Sequence, residues 1–289
     1  MNEAFLNQLA RIADALERIA PPARQKPDFS RHLAARWRVS GTHKFLEAVS
    51  HVHEMHADWL VGVEPQHAQI DQNTLQFVDG KPANNVLLTG SRGTGKSSLV
   101  KAMLNRYSAR GLRLIEVEKE HLNDLPDIIG QIEGDAHRFI VFCDDLSFDA
   151  GDGSYKALKA ILDGSIAATT PNVLLYATSN RRHLLPEYFH ENEETKYVGE
   201  EVHFGESVEE KISLSERFGL WISFYPFSQD DYLQAVESWI SQLGGAVADD
   251  AEQRDAVRRD ALQWALQRGS RSGRVAYQFA RDFVGRSNT

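Results

Sequence analysis

Residues 86–98 read VLLTGSRGTGKSS, an apolar run that breaks into a glycine-rich loop and then into Lys96, Ser97 and Ser98. From Gly90 to Ser97 the spacing is G-x-x-x-x-G-K-[ST]. Glycines at these places reach backbone angles that other residues avoid, so successive N–H groups can turn inward around an anionic phosphate. A helix opening near Lys96 would point its positive end at the same anion. Gly90, Arg92, Gly93, Thr94, Gly95, Lys96, Ser97 and Ser98 are therefore the candidate phosphate cradle. In this pattern the lysine reaches the β- and γ-phosphates, and the hydroxyl of Ser97 ligates Mg²⁺.

Outward from that loop the pattern repeats. Short apolar runs at 86–90, 112–117, 139–145, 173–180 and 220–227 alternate with helical segments near 96–109, 121–133 and 154–167. Strands alternating with helices predict parallel βαβ units, with ligands at the carboxyl ends of the strands. Beyond residue 227 the pattern is helical throughout, at 229–243, 250–268 and 273–285, with Ser228 and Asp231 spaced as a capping pair. The run FIVFCDD (139–145) ends in two acids, a Walker B element. Asp144 is placed to hold Mg²⁺ through water, and Asp145 to polarise an attacking water. Adjacent carboxylates at the end of an apolar strand are expected to be buried and to need a cation. Cys143 is read as filling space in that strand.

Upstream, Leu6, Leu9, Ile12, Leu16 and Ile19 fall at helical spacing, which predicts an amphipathic helix over 1–20. Packing on its own domain is the favoured reading of its stripe, with a detachable arm for a partner as the other. Residues 29–56 read as a second helical region. Residues 191–210 hold eight glutamates against one lysine and are read as a solvated insertion.

The composition (289 residues, 42% hydrophobic, 25% charged) is that of a soluble globular protein. A net charge of −9 disfavours a general nucleic-acid coat. No apolar run is long enough for a membrane helix, and the N-terminus has no leader pattern. A single cysteine rules out an intrachain disulfide. The expectation is a cytoplasmic protein with no membrane contact.

Taken together, the two phosphate-site elements resemble those of the AAA+ superfamily of P-loop ATPases, over roughly residues 55–285. The strand VLLYATSN ends in Asn180, where AAA+ proteins carry sensor 1. SLSERFGLWISFYPF resembles the segment bearing the arginine finger, which makes Arg217 the candidate. SRSGRVAYQFARDF resembles sensor 2, with Arg274 the best match and Arg271 second. LVGVEPQ (60–66) resembles the segment lining the adenine pocket, through Val61, Gly62 and Val63. More narrowly, GKPANNVLLTGSRGTGKSSLVKA, IVFCDDLSF and ATSNRRHLLPEY look like a bacterial AAA+ family of uncharacterised function.

The resemblance implies an α/β fold. It comprises a P-loop NTPase αβα sandwich with a five-stranded parallel sheet (55–227), a C-terminal helical lid (228–289) and an N-terminal helical extension (1–54). It implies ATP and Mg²⁺ as ligands, with Lys96, Asp145, Asn180, Arg217 and Arg274 catalytic and Ser97 and Asp144 at the metal. It also implies a homo-oligomer acting on a macromolecule, protein or nucleic acid. At Asp145 most AAA+ proteins carry glutamate. That departure supports an alternative, a nucleotide-gated loader with negligible turnover, while a P-loop small-molecule kinase is disfavoured by the helical C-terminus. His51, His53 and His56 lack the H-E-x-x-H spacing of zinc proteases and are read as surface or packing residues.

Overall fold

A computed structural model describes residues 5–12, 26–148, 158, 159, 162, 170–181, 196–198, 201–203, 215–246 and 250–287. Seven strands form one sheet in the order β2-β1-β4-β5-β6-β3-β9. These are β1 (Ala34–Ser40), β2 (His43–Ala48), β3 (Val86–Gly90), β4 (Leu112–Glu116), β5 (Arg138–Cys143), β6 (Val173–Ser179) and β9 (Leu220–Phe224). All neighbours pair in parallel except β1 with β2. A separate antiparallel pair, β7 (Lys196–Val198) and β8 (Glu201–His203), lies within the acidic stretch; the rest of 191–210 is outside the described residues.

The central strands are buried on both faces, so they read as unbroken apolar runs. In β5, Phe139, Val141 and Cys143 face one cluster while Ile140 and Phe142 face the other. The first cluster is closed by α3 (Leu125–Ile132), through Leu125, Ile128 and Ile132. The second is closed by α1 (Glu64–Val78) and α2 (Lys96–Tyr107), whose Ile70, Leu99, Val100 and Met103 are fully buried. Truncating one of these, Leu99→Ala for example, would cost about 2–5 kcal/mol by cavity formation. The αβα sandwich expected from the alternating pattern is what the chain adopts, with two further strands at one edge.

Those two strands replace the helix expected over 29–56. Alternation decides it: Ala35, Trp37 and Leu46 are buried while Arg36 and Glu47 are exposed, a period of two that suits a strand. Gly41, at φ 60°, turns the chain in the left-handed region that a two-residue hairpin loop needs. Trp37 Nε1–H donates to Asp124 Oδ2 at 3.0 Å, and Lys44 Nζ donates to Asp124 Oδ1 at 2.5 Å. Both hairpin strands are thus fastened to the turn that leads into α3.

Residues 5–12 are helical, as expected, with Leu6, Leu9 and Ile12 about half exposed and outside the buried clusters. The remainder of that predicted helix is outside the described residues, as is most of the helix expected at 154–167. The C-terminal part forms the expected helical lid: α4 (Gln229–Gln242), α5 (Ala251–Gln267) and α6 (Gly273–Ser287) around Tyr232, Val236, Ala261 and Phe279. Ser228 and Asp231 make the reciprocal capping box that the spacing predicted. Among the described residues no helix is long and apolar enough to cross a membrane.

Candidate functional site

The chain leaves β3 for α2 and then crosses to β4, over β6 and β5, so the sheet order reverses at β3. Crevices form at such points beyond the carboxyl ends of the strands. There β3 runs into Gly90 (φ 135°), whose added Cβ would lie 2.1 Å from the carbonyl oxygen of Phe224 on β9. Only glycine fits that approach. Gly93 and Gly95 follow with φ 77° and 99°, and Gly95 caps α2 from the left-handed region. The first amides of α2 have no acceptor within their own helix and are free to meet an anion.

Lys96 is buried, 5% exposed, and its Nζ donates to Gly90 O (2.6 Å), Ser91 O (2.7 Å) and Asn180 Oδ1 (3.1 Å). Burial pushes its pKa down from 10.5 to about 8, with Arg274 and Arg92 adding to the fall while Asp144 and Asp145 oppose it. Ser97 Oγ donates to Asp144 Oδ1 at 2.6 Å. Asn180 joins two groups, accepting from Lys96 and donating through Nδ2 to Asp145 Oδ1.

Asp144 and Asp145 are exposed, contrary to the buried pair that the sequence suggested. The strand ends at Cys143, and both carboxylates stand beyond it in the open mouth of the cleft. Their exposure removes the argument that stability alone demands a cation there. Asp145 is the one non-glycine residue with positive φ (55°) among those described. Its N–H donates to Thr178 Oγ1 (2.9 Å), whose hydroxyl donates to Asp144 Oδ1 (2.6 Å). Thr178, 2% exposed on β6, thus fixes both acids. A lone buried threonine in the apolar run VLLYATS was the available signal, and sequence reasoning passed over it. Cys143 is fully buried, and burial holds its thiol up at about 12, as suits a packing residue.

The lid closes over the loop. Gly273 N–H donates to Gly93 O at 2.9 Å, and a Cβ on Gly93 would meet Ser272 Oγ at 2.8 Å. Arg274, one residue on, lines the cleft; Arg271 is exposed and outside its lining. Val61 packs toward the lid and Val63 toward the sheet, and both line the cleft. Gly62 turns the chain between them at φ 72°, against Asp231. An aromatic wall that sequence reasoning missed stands beside them: Trp59 meets Trp239 edge-on at 6.0 Å, and Trp239 meets Tyr277 at 4.9 Å. Trp59, two residues before Val61, could have been found by extending that segment.

The whole forms one cleft of about 720 Å³, polar at the phosphate loop and apolar at the aromatic wall. That division fits a nucleotide triphosphate: anion donors at one end and a flat apolar slot at the other. One hydroxyl and one carboxylate held together suit Mg²⁺, which takes few protein ligands and fills its shell with phosphate and water. Arg217 is not brought to this cleft. It precedes β9 at the amino end of the sheet, whereas the loop follows the carboxyl end of the paired β3. Five paired rungs separate the two ends, on the order of 15 Å. Among the described residues no group of three or more His, Cys, Asp and Glu is placed to hold a metal ion.

A family model described as "Protein of unknown function (DUF815)" matches residues 30–287. The chain belongs to that family. Over an alignment of 90 residues this DUF815 chain is 33% identical to the 26S proteasome regulatory subunit 4 homolog of Schizosaccharomyces pombe, covering 27% of the chain and 20% of that protein. The corresponding Saccharomyces cerevisiae protein is also 33% identical over 90 residues, covering 27% and 21%. The matched stretch spans about a fifth of the length of these curated relatives. Among solved structures, the Thermotoga maritima RuvB Holliday junction branch migration motor aligns with TM-score 0.42 at 13% identity, over 80% of this chain and 72% of that one. A point mutant of the same RuvB aligns with TM-score 0.47 at 14% identity, over 79% and 72%. The glycine-rich loop between β3 and α2, the β3-centred crevice and the helical C-terminal part give the DUF815 chain the fold of an AAA+ P-loop protein.

Proposed function

We propose that this protein binds ATP with Mg²⁺ in the β3–α2 cleft and hydrolyses it, as an oligomer, to drive or switch the remodelling of a macromolecular partner in the cytoplasm. The observation that carries the reading is the convergence of Lys96, Ser97, Asp144, Asp145, Asn180 and Arg274 on one cleft, drawn from four separate segments.

Each residue has a task in the chemistry. P-loop amides and Lys96 take the β- and γ-phosphates. Bound between Ser97 and, through water, Asp144, Mg²⁺ would supply charge neutralisation at the phosphate oxygens. Asn180 orients a water in line with the γ-phosphorus. As the water oxygen bonds to phosphorus, its proton passes to Asp145 and the bond to the β–γ bridging oxygen breaks, releasing ADP and phosphate. Lys96 and Arg274 balance charge on the equatorial oxygens. Val61 and Val63, with Gly62 setting the turn between them, hold the base. Arg217 supplies the last positive charge to the cleft of a neighbouring copy, because it stands at the opposite end of the sheet from its own.

The test is ATPase activity against protein concentration. Specific activity should rise as the protein is concentrated and fall on dilution. A flat profile at every concentration would contradict the shared site. A second reading, a nucleotide-gated loader with negligible turnover, is favoured by one observation: both carboxylate oxygens of Asp145 are engaged by Asn180 and Arg92. Tight ATP binding with no turnover at any concentration would select it. The macromolecule handled is a protein or a nucleic acid; the stretch from 268 to 286 carries five arginines against one aspartate, two of them (Arg271 and Arg274) the sensor-2 candidates.

A further inference from the structure

Arg92 stands at the bend of the phosphate loop, with its Nη2 3.6 Å from Asp145 Oδ2. On the other side of the same carboxylate, Asn180 Nδ2 donates to Oδ1. Asp145 is aimed at these two partners by its left-handed backbone, a conformation that L-residues adopt rarely and that Thr178 holds in place through the Asp145 N–H. A carboxylate with both oxygens engaged by cationic or amide donors is a poor base for water. The ion pair is also loose: the two side chains are 74% and 54% exposed, and an exposed pair of this kind contributes little. A triphosphate arriving in the loop carries more negative charge than Asp145 and offers a guanidinium three oxygens in place of one.

We infer that Arg92 is a γ-phosphate-sensing residue. It covers Asp145 while no third phosphate is present, and it moves to the γ-phosphate when ATP binds, leaving Asp145 free to accept the proton of water. The inference rests on the ATP reading above and deepens it, because it makes Arg92 a determinant of ATP over ADP in the same chain. ADP, which lacks the competing phosphate, leaves the Arg92–Asp145 pair closed. Asn180 keeps its contact in both states and serves as the fixed reference from which Asp145 is released.

The test is equilibrium binding of ADP and of a non-hydrolysable ATP analogue, with Mg²⁺, to the full chain. Arg92 is mostly exposed, so Arg92→Ala leaves the packing intact, and asparagine tolerates left-handed backbone, so Asp145→Asn is suited to its position. Arg92→Ala should lower the preference for the triphosphate over ADP by about tenfold, with ADP affinity within about twofold of the parent. Asp145→Asn, which removes the competitor, should raise triphosphate affinity a few-fold when Arg92 is present and not at all in the Arg92→Ala background. Equal weakening of both nucleotides, an unchanged preference, or a gain from Asp145→Asn that survives the loss of Arg92 would each overturn the inference while leaving the ATP site standing. A parent protein that binds neither nucleotide would overturn the ATP reading and this inference together.

Discussion

β3 and β9 lie side by side, yet their two ends are built differently. At the carboxyl end the cleft assembles Lys96, Ser97, Asp144, Asn180 and Arg274 within one chain, with Lys96 bonded to Asn180 and Ser97 to Asp144. At the amino end Arg217 stands in the turn before β9, on the order of 15 Å away along the strands. The difference separates binding from rate. On the proposed function, a single chain carries what is needed to hold a nucleotide, whereas the charge stabilisation an added arginine supplies comes from outside its own cleft.

Substitutions at the two ends should therefore fail in different ways. Arg217→Ala should lower kcat by about 10³-fold or more, as loss of an arginine finger does, with ATP affinity unchanged. An equal loss of affinity would place Arg217 at its own chain's cleft and erase the contrast. Lys96→Ala should weaken ATP binding by about 10²-fold, since charge-assisted contacts to two phosphates are lost. Calorimetric titration of the two variants side by side reads both effects.

The pH dependence sharpens the binding half. Lys96 has its pKa lowered to about 8 by burial, and phosphate favours its charged form. Below pH 8 the charged form is already present. Above it, ATP binding must take up a proton, so affinity falls as pH rises and is about tenfold weaker at pH 9 than at pH 7. Proton uptake on binding, measured in buffers of different ionisation enthalpy, should appear above pH 8 and vanish near pH 6.5.

Legibility in the sequence follows the same division. β3, β4, β5 and β6 were readable because burial on both faces makes them unbroken apolar runs with polar ends, and the loop because only glycine meets its close approaches. The β1–β2 hairpin was not readable, since its anchor lies far away in sequence. Trp37 and Lys44 both find Asp124, Arg36 pairs with Glu116 on the neighbouring β4 and Arg38 with Glu118 just beyond it, so the partners of this stretch lie about eighty residues away. Thr178 was missed for a related reason: its role exists only once β5 and β6 are side by side. The exposure of Asp144 and Asp145 was misjudged because a strand's burial need not extend past its last residue.

The most direct measurement mixes two variants that are each inactive alone. At ATP concentrations too low to fill its weakened site, Lys96→Ala still offers Arg217, whereas Arg217→Ala should bind ATP and lack the finger. If the site is completed between copies, mixing them should restore a measurable fraction of parental ATPase activity, greatest when Lys96→Ala is in excess. A mixture that stays as inactive as its parts, with Arg217→Ala still binding ATP and the two variants shown to associate, would contradict the account.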